Sequence, residues 1–516
     1  MRTYRVLVVL CLVAGFVLRA RGYLFASRPF WVDEAAWAMR LLKFNLLEPS
    51  IRPIGFMALV RGLVACFGER DVVLRFVPFA AGVGTMLLVV PLAEDLLPSR
   101  AGRLLFIGAM ALHPVAIDYS KEFKPYSVSL FVHVLCTFLA ARYLRNERTT
   151  TLVGGILAGF LGVWFAQDVI FALPGYYLVT GALAWRKAPR SHVRLLALGA
   201  ASTIAMIGVL YFFFWHAVNV GNGTRDTAFW GNKYDVFHQA GTGEGLLHWV
   251  ARKYLELAAF PAARREVWLS DAVLRAPVMG WLSLAYAGVW VLLHAAGLVL
   301  LVRERRYPAL ALVVMPIVTL LAFNLVGFWP FAVFRTNLFV LSYVCLIAAF
   351  GIGAIRPLAE LEEAVPLIVA VVLPLLAFER DWHRHKRWAG ESGFFDVTNE
   401  LVRLQGPHRG HGDPLVLDHW SCTVFRYYLK FNPDYAKLRH RLDQRFSTTC
   451  PKDGALSEAE QETTNHRRVF LVLDDPHQSA ETLEHLASLS NVVDYRKLDE
   501  GRDVVFELAA PEERKQ

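Results

Sequence analysis

The sequence predicts a polytopic α-helical membrane protein with about eleven transmembrane helices and a small C-terminal soluble α/β domain. Three observations predict it. Hydrophobic residues make up 55% of the chain and charged residues 19%, and the mean hydropathy is +0.38, too apolar for an ordinary soluble surface. The apolar residues arrive in long blocks separated by short basic patches. From about residue 379 onward the pattern stops and the composition becomes that of a water-exposed domain. The expected organisation is therefore a transmembrane module over 1–378 and a soluble domain over 379–516.

Taken in order, the blocks give spans near 6–25, 72–93, 104–117, 126–141, 152–167, 169–185, 195–215, 277–302, 308–328, 336–355 and 364–378. Several are shorter than the ~20 residues that cross a hydrocarbon core, so their ends are soft. The first block has the outline of a signal peptide, with Arg2 and Arg5 before it. No small-x-small cleavage site follows, and Arg19 and Arg21 come next, so it reads as an uncleaved span whose arginines snorkel to the far interface.

Loop charge orients the bundle. Arg2, Arg5, Arg100, Arg103, Arg142, Arg145, Arg148, Arg186, Lys187, Arg190, Arg194, Arg303, Arg305, Arg306 and Arg356 fall on one side; the short loops opposite hold Lys121, Lys124 and Arg335. The N-terminus is expected in the cytoplasm. A first outer loop at 26–71, the segment 118–126, a large loop at 216–276 and the tail then lie outside. The cluster Arg380, Arg384, Lys386 and Arg387 opposes an outer tail, whereas the parity of the earlier crossings favours one, and a basic collar binds lipid phosphates on either face. The net charge of +9 belongs to this topology, and no nucleic-acid partner is expected.

In the tail, strands are expected at 414–418, at 469–474 and near Val492 and Val504, with helices at 422–430 and 480–490. The charged stretch 431–467 reads as a long loop, and no Gly-rich phosphate loop occurs. Cys11, Cys136 and Cys345 lie in apolar runs and Cys66 near the membrane, as packing residues. Whether Cys422 and Cys450 pair stays open at this level, and without a C-x-x-C motif a structural zinc is not expected.

Chemistry can reside in three places. Trp31-Val32-Asp33-Glu34-Ala35-Ala36-Trp37 follows the first span, ahead of amphipathic stretches at 39–47 and 52–67 suited to the interface plane. Asp33 either N-caps an interfacial helix, with Glu34 in its first turn, or is a carboxylate at a cavity rim that removes a proton. Both readings are open on the residues alone. The second place is a polar strip from His113-Pro114 through Asp118, Tyr119, Lys121, Glu122, Lys124, Pro125 and Tyr126. It is either a solvated turn or a cavity lining, and charges beside a bilayer favour the latter. The third is Arg335, the one fixed charge of an apolar stretch, facing either lipid headgroups or a bound phosphate. Arg52 and Arg75 are weaker candidates of the same kind.

These residues carry a resemblance. LRARGYLFASRPFWVDEAAW resembles the exit from the first span in GT-C glycosyltransferases of the protein mannosyltransferase and aminoarabinose transferase superfamily, with its Leu-Arg pair and an aromatic residue before Asp-Glu. The run ERDVVLRFVPFAAGVGTMLLVVPLAEDLLPSRAGRLLFIGAMALHPVAIDYSKEFKPYS is similar to the family's next landmark, a polar strip that ends in a basic residue, Pro and Tyr. WPFAVFRTNLFVLSYVCLIAAFG resembles the late span opened by an Arg. The likeness covers 1–145 well and 300–355 fairly. Arg52-Pro53-Ile54-Gly55 departs from the usual Pro-rich aromatic form, and the tail is no recognisable carbohydrate-binding module, so donor and acceptor preferences do not transfer.

The resemblance implies a GT-C enzyme of the bacterial inner membrane, acting on the outer face. It would take a sugar from a polyprenyl-phosphate donor to a hydroxyl of an unknown acceptor, inverting the anomeric centre. Asp33 is then the base and Glu34 a supporting catalytic residue. Arg335, Lys121 and Lys124 bind the donor phosphate, and Asp118, Glu122, Tyr126, His113 and Arg52 bind substrate. If a divalent metal is used, Asp33, Glu34 and Glu122 are its expected ligands, although no ligand spacing demands one. The alternatives are a lipid-linked oligosaccharide ligase or polymerase, which has a large late loop and no Asp-Glu after its first span, and a secondary transporter. A transporter predicts an internal repeat with broken helices at the midplane, which the sequence does not display.

Overall fold

Apolar blocks become helices because a backbone in lipid must satisfy its own polar groups. The computed structural model describes residues 2–25, 30, 32–42, 52–187, 189–216, 235–238, 244–262, 277–354, 397–398, 400–403, 413–430, 446–451, 455–465, 468–474, 492–498 and 503–509. They fall in two compact units. One comprises Met1–Tyr23, Asn45–Val60 and Arg75–Arg380, and the other Leu24–Phe44, Arg61–Leu74 and Asp381–Gln516.

In chain order the first helices are α1 (Arg2–Ala20), α2 (Val32–Leu42), α3 (Ile54–Phe67), α4 (Asp71–Leu74), α5 (Phe76–Leu96), α6 (Arg100–Leu112), α7 (Pro114–Tyr119), α8 (Tyr126–Asn146) and α9 (Thr149–Phe165). Then come α10 (Leu173–Lys187), α11 (Arg190–Leu210), α12 (Leu246–Ala258), α13 (Pro277–Arg303), α14 (Tyr307–Leu325) and α15 (Val340–Ala354). Among the described residues, seven helical stretches are long and apolar enough to cross a membrane, and the predicted spans at 152–167 and 336–355 are shorter apolar helices. The chain is a multi-pass integral membrane protein. The eleventh predicted span, 364–378, lies outside the described residues, as do the basic cluster at 380–387 and the predicted helix 480–490.

One predicted span is broken. The block 104–117 is α6 followed by a separate α7, with His113 extended between them. Pro114 is the cause: it disfavours helical backbone at the residue before it and suits the first position of a new helix. Asp118 therefore sits on a helical turn instead of in a loop. α6 is buried along most of its length and α15 on all sides, so these two helices form the interior of the first unit. α15 crosses α13 so closely that a Cβ on Gly297 would lie 1.8 Å from the carbonyl oxygen of Ile347. Small residues permit such approaches where no hydrophobic effect drives helices together.

The second unit holds α2, α4 and the tail. Its sheet runs β2-β1-β3-β5-β4, with β1 (Asp413–Leu417), β2 (Phe446–Thr449), β3 (Arg468–Asp474), β4 (Val492–Leu498) and β5 (Asp503–Ala509). β1 pairs parallel with β2 and β3, and β5 pairs antiparallel with β3 and β4. Two helices, α16 (His419–Lys430) and α17 (Ala455–Asn465), pack on it. The expected loop at 431–467 is corrected by β2 and α17. Phe446-Ser447-Thr448-Thr449 is β-prone with Phe446 buried, and the Ala- and Glu-rich 455–462 favours helix, though charge hides its small apolar face. Cys422 and Cys450 form a disulfide.

Candidate active site

The acidic pair stands in the first turn of α2. Because the helix already starts at Val32, Asp33 lies within that turn and is not the N-cap; both carboxylates still gain from the positive helix end. Glu34, Ala35, Ala38 and Leu41 form a face with zero exposure, whereas Asp33 is half-buried. That spacing sets the pair apart: one carboxylate is fully buried in packing and the other is only half-buried.

The polar strip belongs to the first unit and is no solvated turn. Lys121, Glu122 and Lys124 are 7%, 7% and 2% exposed, and Ser120 and Phe123 are fully buried. Tight backbone bonds shape it, from Lys121 N–H to the Asp118 carbonyl at 2.9 Å and from Lys124 N–H to that of Glu122 at 2.7 Å. Tyr119 and Tyr126 meet edge to face at 5.1 Å, and Phe123 stacks on Phe56 near the half-buried Arg52. His113 is fully buried, with Nε2 3.3 Å from the Phe260 carbonyl, so it ties the α6–α7 break to the short turn that follows α12.

Arg19 supports the same break. Sequence reasoning expected it to snorkel outward, but the side chain turns inward and is 1% exposed. Its guanidinium donates to the carbonyls of Gly15 at 3.0 Å, Ala111 at 2.6 Å and Met110 at 3.4 Å. The last two belong to the final turn of α6, where a helix leaves carbonyls without partners. A guanidinium satisfies several at once, so burial here outweighs an exit to the interface.

Arg335 opens a 3-10 turn, Arg335–Asn337, ahead of α15. It is half-buried and lies over the Phe334 ring at 5.6 Å. Asn337, which sequence reasoning missed, holds that turn: its amide donates to the carbonyls of Pro330 and Ala332, each at 2.9 Å, and accepts from Trp329 Nε1 at 2.9 Å. Asn324 joins it by donating to the carbonyls of Trp329 and Val236. Val236 also accepts from Phe331 N–H at 3.0 Å, so the backbone at Val236 is tied to the Arg335 turn. Next to Val236, Asp235 takes part in an ion cluster on α12. Arg252 meets Asp235, Glu244 and Glu256 at 2.7 to 3.1 Å, and the buried Lys253 meets Asp235 and Glu256 at 2.9 Å. Partial burial works to raise the Asp235 carboxyl, but hydrogen bonds from Arg252, Lys253 and Trp249 win and hold it below the usual range. Arg252 chiefly, with His248, holds the Glu244 carboxyl low as well.

The strip and the Arg335 turn share α8. The strip runs into its N-terminus, and Phe339 just after the turn stacks on His133 of α8 at 4.1 Å. His133 Nδ1 is 2.9 Å from the Tyr343 hydroxyl and Nε2 3.1 Å from the Asp168 carbonyl, while Ser129 donates to the Asp168 carboxylate. Ser129, His133 and Tyr343 were hidden in the sequence inside apolar blocks, and Asp168 in the one-residue gap between two of them. Asp33 and Glu34 belong to the second unit. Among the described residues, no three His, Cys, Asp or Glu side chains assemble as a metal-binding group.

A crystal structure of ArnT from Cupriavidus metallidurans in the apo state superposes over 98% of both chains, with a TM-score of 0.51 and 15% identity. A second, of the same protein bound to undecaprenyl phosphate, covers 97% of both at a TM-score of 0.50 and 14% identity. The chain has the GT-C fold. At this identity the likeness concerns the fold, and the match extends over both the bundle and the α/β tail. No family model and no curated protein sequence matches the chain.

Proposed function

We propose that the chain is a membrane glycosyltransferase that moves a sugar, pentose or hexose, from a polyprenyl-phosphate donor to a hydroxyl acceptor with inversion. The observation that carries this is the burial of Lys121, Glu122 and Lys124 in a GT-C fold whose neighbour was crystallised with undecaprenyl phosphate. Two buried lysines at the head of the apolar α8 form a cationic patch that suits an anion carried on an apolar chain, as a polyprenyl phosphate is.

In the reaction the acceptor oxygen bonds to the anomeric carbon as the bond from that carbon to the phosphate oxygen breaks. Asp33 takes the hydroxyl proton, a role its half-buried position suits. The bonding electrons leave with the polyprenyl phosphate, whose added negative charge Arg335, Lys121 and Lys124 offset. Glu34 supports the α2 turn; Asp118, Glu122, Tyr126, His113 and Arg52 take substrate-side roles. Inversion asks that base and cations act from opposite faces of the sugar. The disulfide supports an outer, oxidising location for the soluble domain and hence an active face outside a bacterial inner membrane.

The test is transfer in membranes from radiolabelled undecaprenyl-phosphate pentoses and hexoses, wild type against Asp33→Asn. Loss of a general base costs roughly 10²- to 10⁴-fold. An Asp33→Asn protein with wild-type turnover would remove Asp33 from the mechanism.

A further inference from the structure

Three segments far apart in sequence meet inside the second unit. Asp71 opens α4 and is 8% exposed. Its Oδ1 accepts from the Tyr427 hydroxyl at 3.0 Å and its Oδ2 from the Tyr428 hydroxyl at 2.9 Å. Both tyrosines stand on α16 with zero exposure. The Tyr428 oxygen also accepts the amide N–H of Phe30. The Phe30 ring stacks on Tyr427 at 4.9 Å and tilts against Tyr428 at 6.3 Å. α2, which starts two residues later, packs along α16.

We infer that Tyr427 and Tyr428 are positioning residues for the transfer reaction: with Asp71 they clamp the entry of α2 and so fix Asp33. This rests on the role proposed for Asp33. The physics favours a clamp over incidental contact. The Tyr428 hydroxyl is used twice, donating to a carboxylate and accepting from an amide, and such chained bonds reinforce one another in a dry setting. Ring and amide of Phe30 are both held, so neither rotation nor sliding is free. Two residues separate Phe30 from Asp33, leaving little slack to absorb an error at the clamp. Misplacing a reacting group by about 1 Å costs roughly a hundredfold in rate. Cys422 lies on the same helix, and its disulfide to Cys450 ties α16 to the chain leaving β2. The soluble domain is thereby a frame for the acidic helix, beyond any part it has in admitting acceptor.

The experiment uses the full-length protein in nanodiscs and reads three quantities: amide exchange over 30–42, turnover with the undecaprenyl-phosphate sugars above, and affinity for undecaprenyl phosphate. Tyr428→Phe keeps the ring and removes both hydrogen bonds. Expected are exchange over 30–42 faster by at least about tenfold and turnover down by roughly tenfold to a hundredfold, with undecaprenyl-phosphate affinity within about twofold of wild type. Asp71→Asn, which strands one of the two hydroxyl donors, should do the same, and reduction of the wild-type disulfide should speed exchange over the same peptide. Wild-type exchange over 30–42 in both variants overturns the clamp. So does a loss of undecaprenyl-phosphate affinity in step with turnover, since that reports general unfolding. Should Tyr428→Phe fail to fold, Asp71→Asn and the reduction decide. Full activity in Asp33→Asn would end the base role while leaving the exchange data to judge the clamp.

Discussion

At the scale of single residues, the two carboxylates of the acidic pair part company through one step of helix geometry. A rotation of about 100° per residue carries Glu34 into the packed face and leaves Asp33 at its edge. The motif was legible in the sequence, but which carboxylate is reachable depends on what the helix packs against. Arg335 shows the converse. Its isolation in an apolar stretch marked it, whereas the Asn337 and Asn324 amides that hold its turn look like ordinary polar residues until their carbonyl partners are known. Arg335→Ala should weaken undecaprenyl-phosphate binding by roughly ten- to a hundredfold, the worth of a charge-assisted hydrogen bond at ~1.5–3 kcal/mol. Arg335→Lys should restore only part of it, because an ammonium lacks the planar fork. Unchanged affinity in Arg335→Ala, measured by titration in nanodiscs, would contradict the phosphate role.

At the scale of elements, an ion cluster latches α12 to Asp235, whose neighbour Val236 is tied to the Arg335 turn. Asp235 and Glu244 hold their protons more weakly in the folded loop than in an unfolded chain. The latch is therefore at full strength above the usual carboxylate values, ~3.9 to 4.3, and is lost as pH falls through the lower folded values. A spin label at Leu247, 85% exposed on α12, should stay immobile from neutral pH down to about pH 4 and become mobile below it. Arg252→Ala should release it already at neutral pH, since one guanidinium serves three carboxylates. A label equally immobile at pH 3 in both proteins would show that other contacts hold α12. None of this was legible beforehand: a loop full of mixed charge looks the same whether its ions pair or are merely solvated.

At the scale of the whole molecule, hydropathy sufficed for most of the bundle because a membrane imposes one answer on an apolar block. It failed where polar groups do the shaping. The α6–α7 break hinges on Pro114, and the second unit gathers α2, α4 and the tail from separate stretches of sequence, an association no local pattern encodes. The side of the tail was the sequence's own contradiction, and the disulfide favours the outer side. Ser447→Cys, exposed on β2, should accordingly react with a membrane-impermeant maleimide added to intact cells in which the exposed Cys66 is replaced by Ser. Labelling only after the membrane is opened would place the soluble domain in the cytoplasm and reverse the proposed orientation.

The inward turn of Arg19 also constrains how the protein is made. The first span leaves the ribosome carrying a guanidinium whose acceptors, the carbonyls of Met110 and Ala111, are synthesised about ninety residues later. Until α6 arrives, that side chain must stay in the insertion channel or at the bilayer edge, since a lone arginine deep in lipid costs ~2.5–3.5 kcal/mol by insertion scales. Integration of the first helix is thus completed only by the third predicted span, and a nascent chain truncated before residue 110 should hold α1 loosely while one carried past 119 should not.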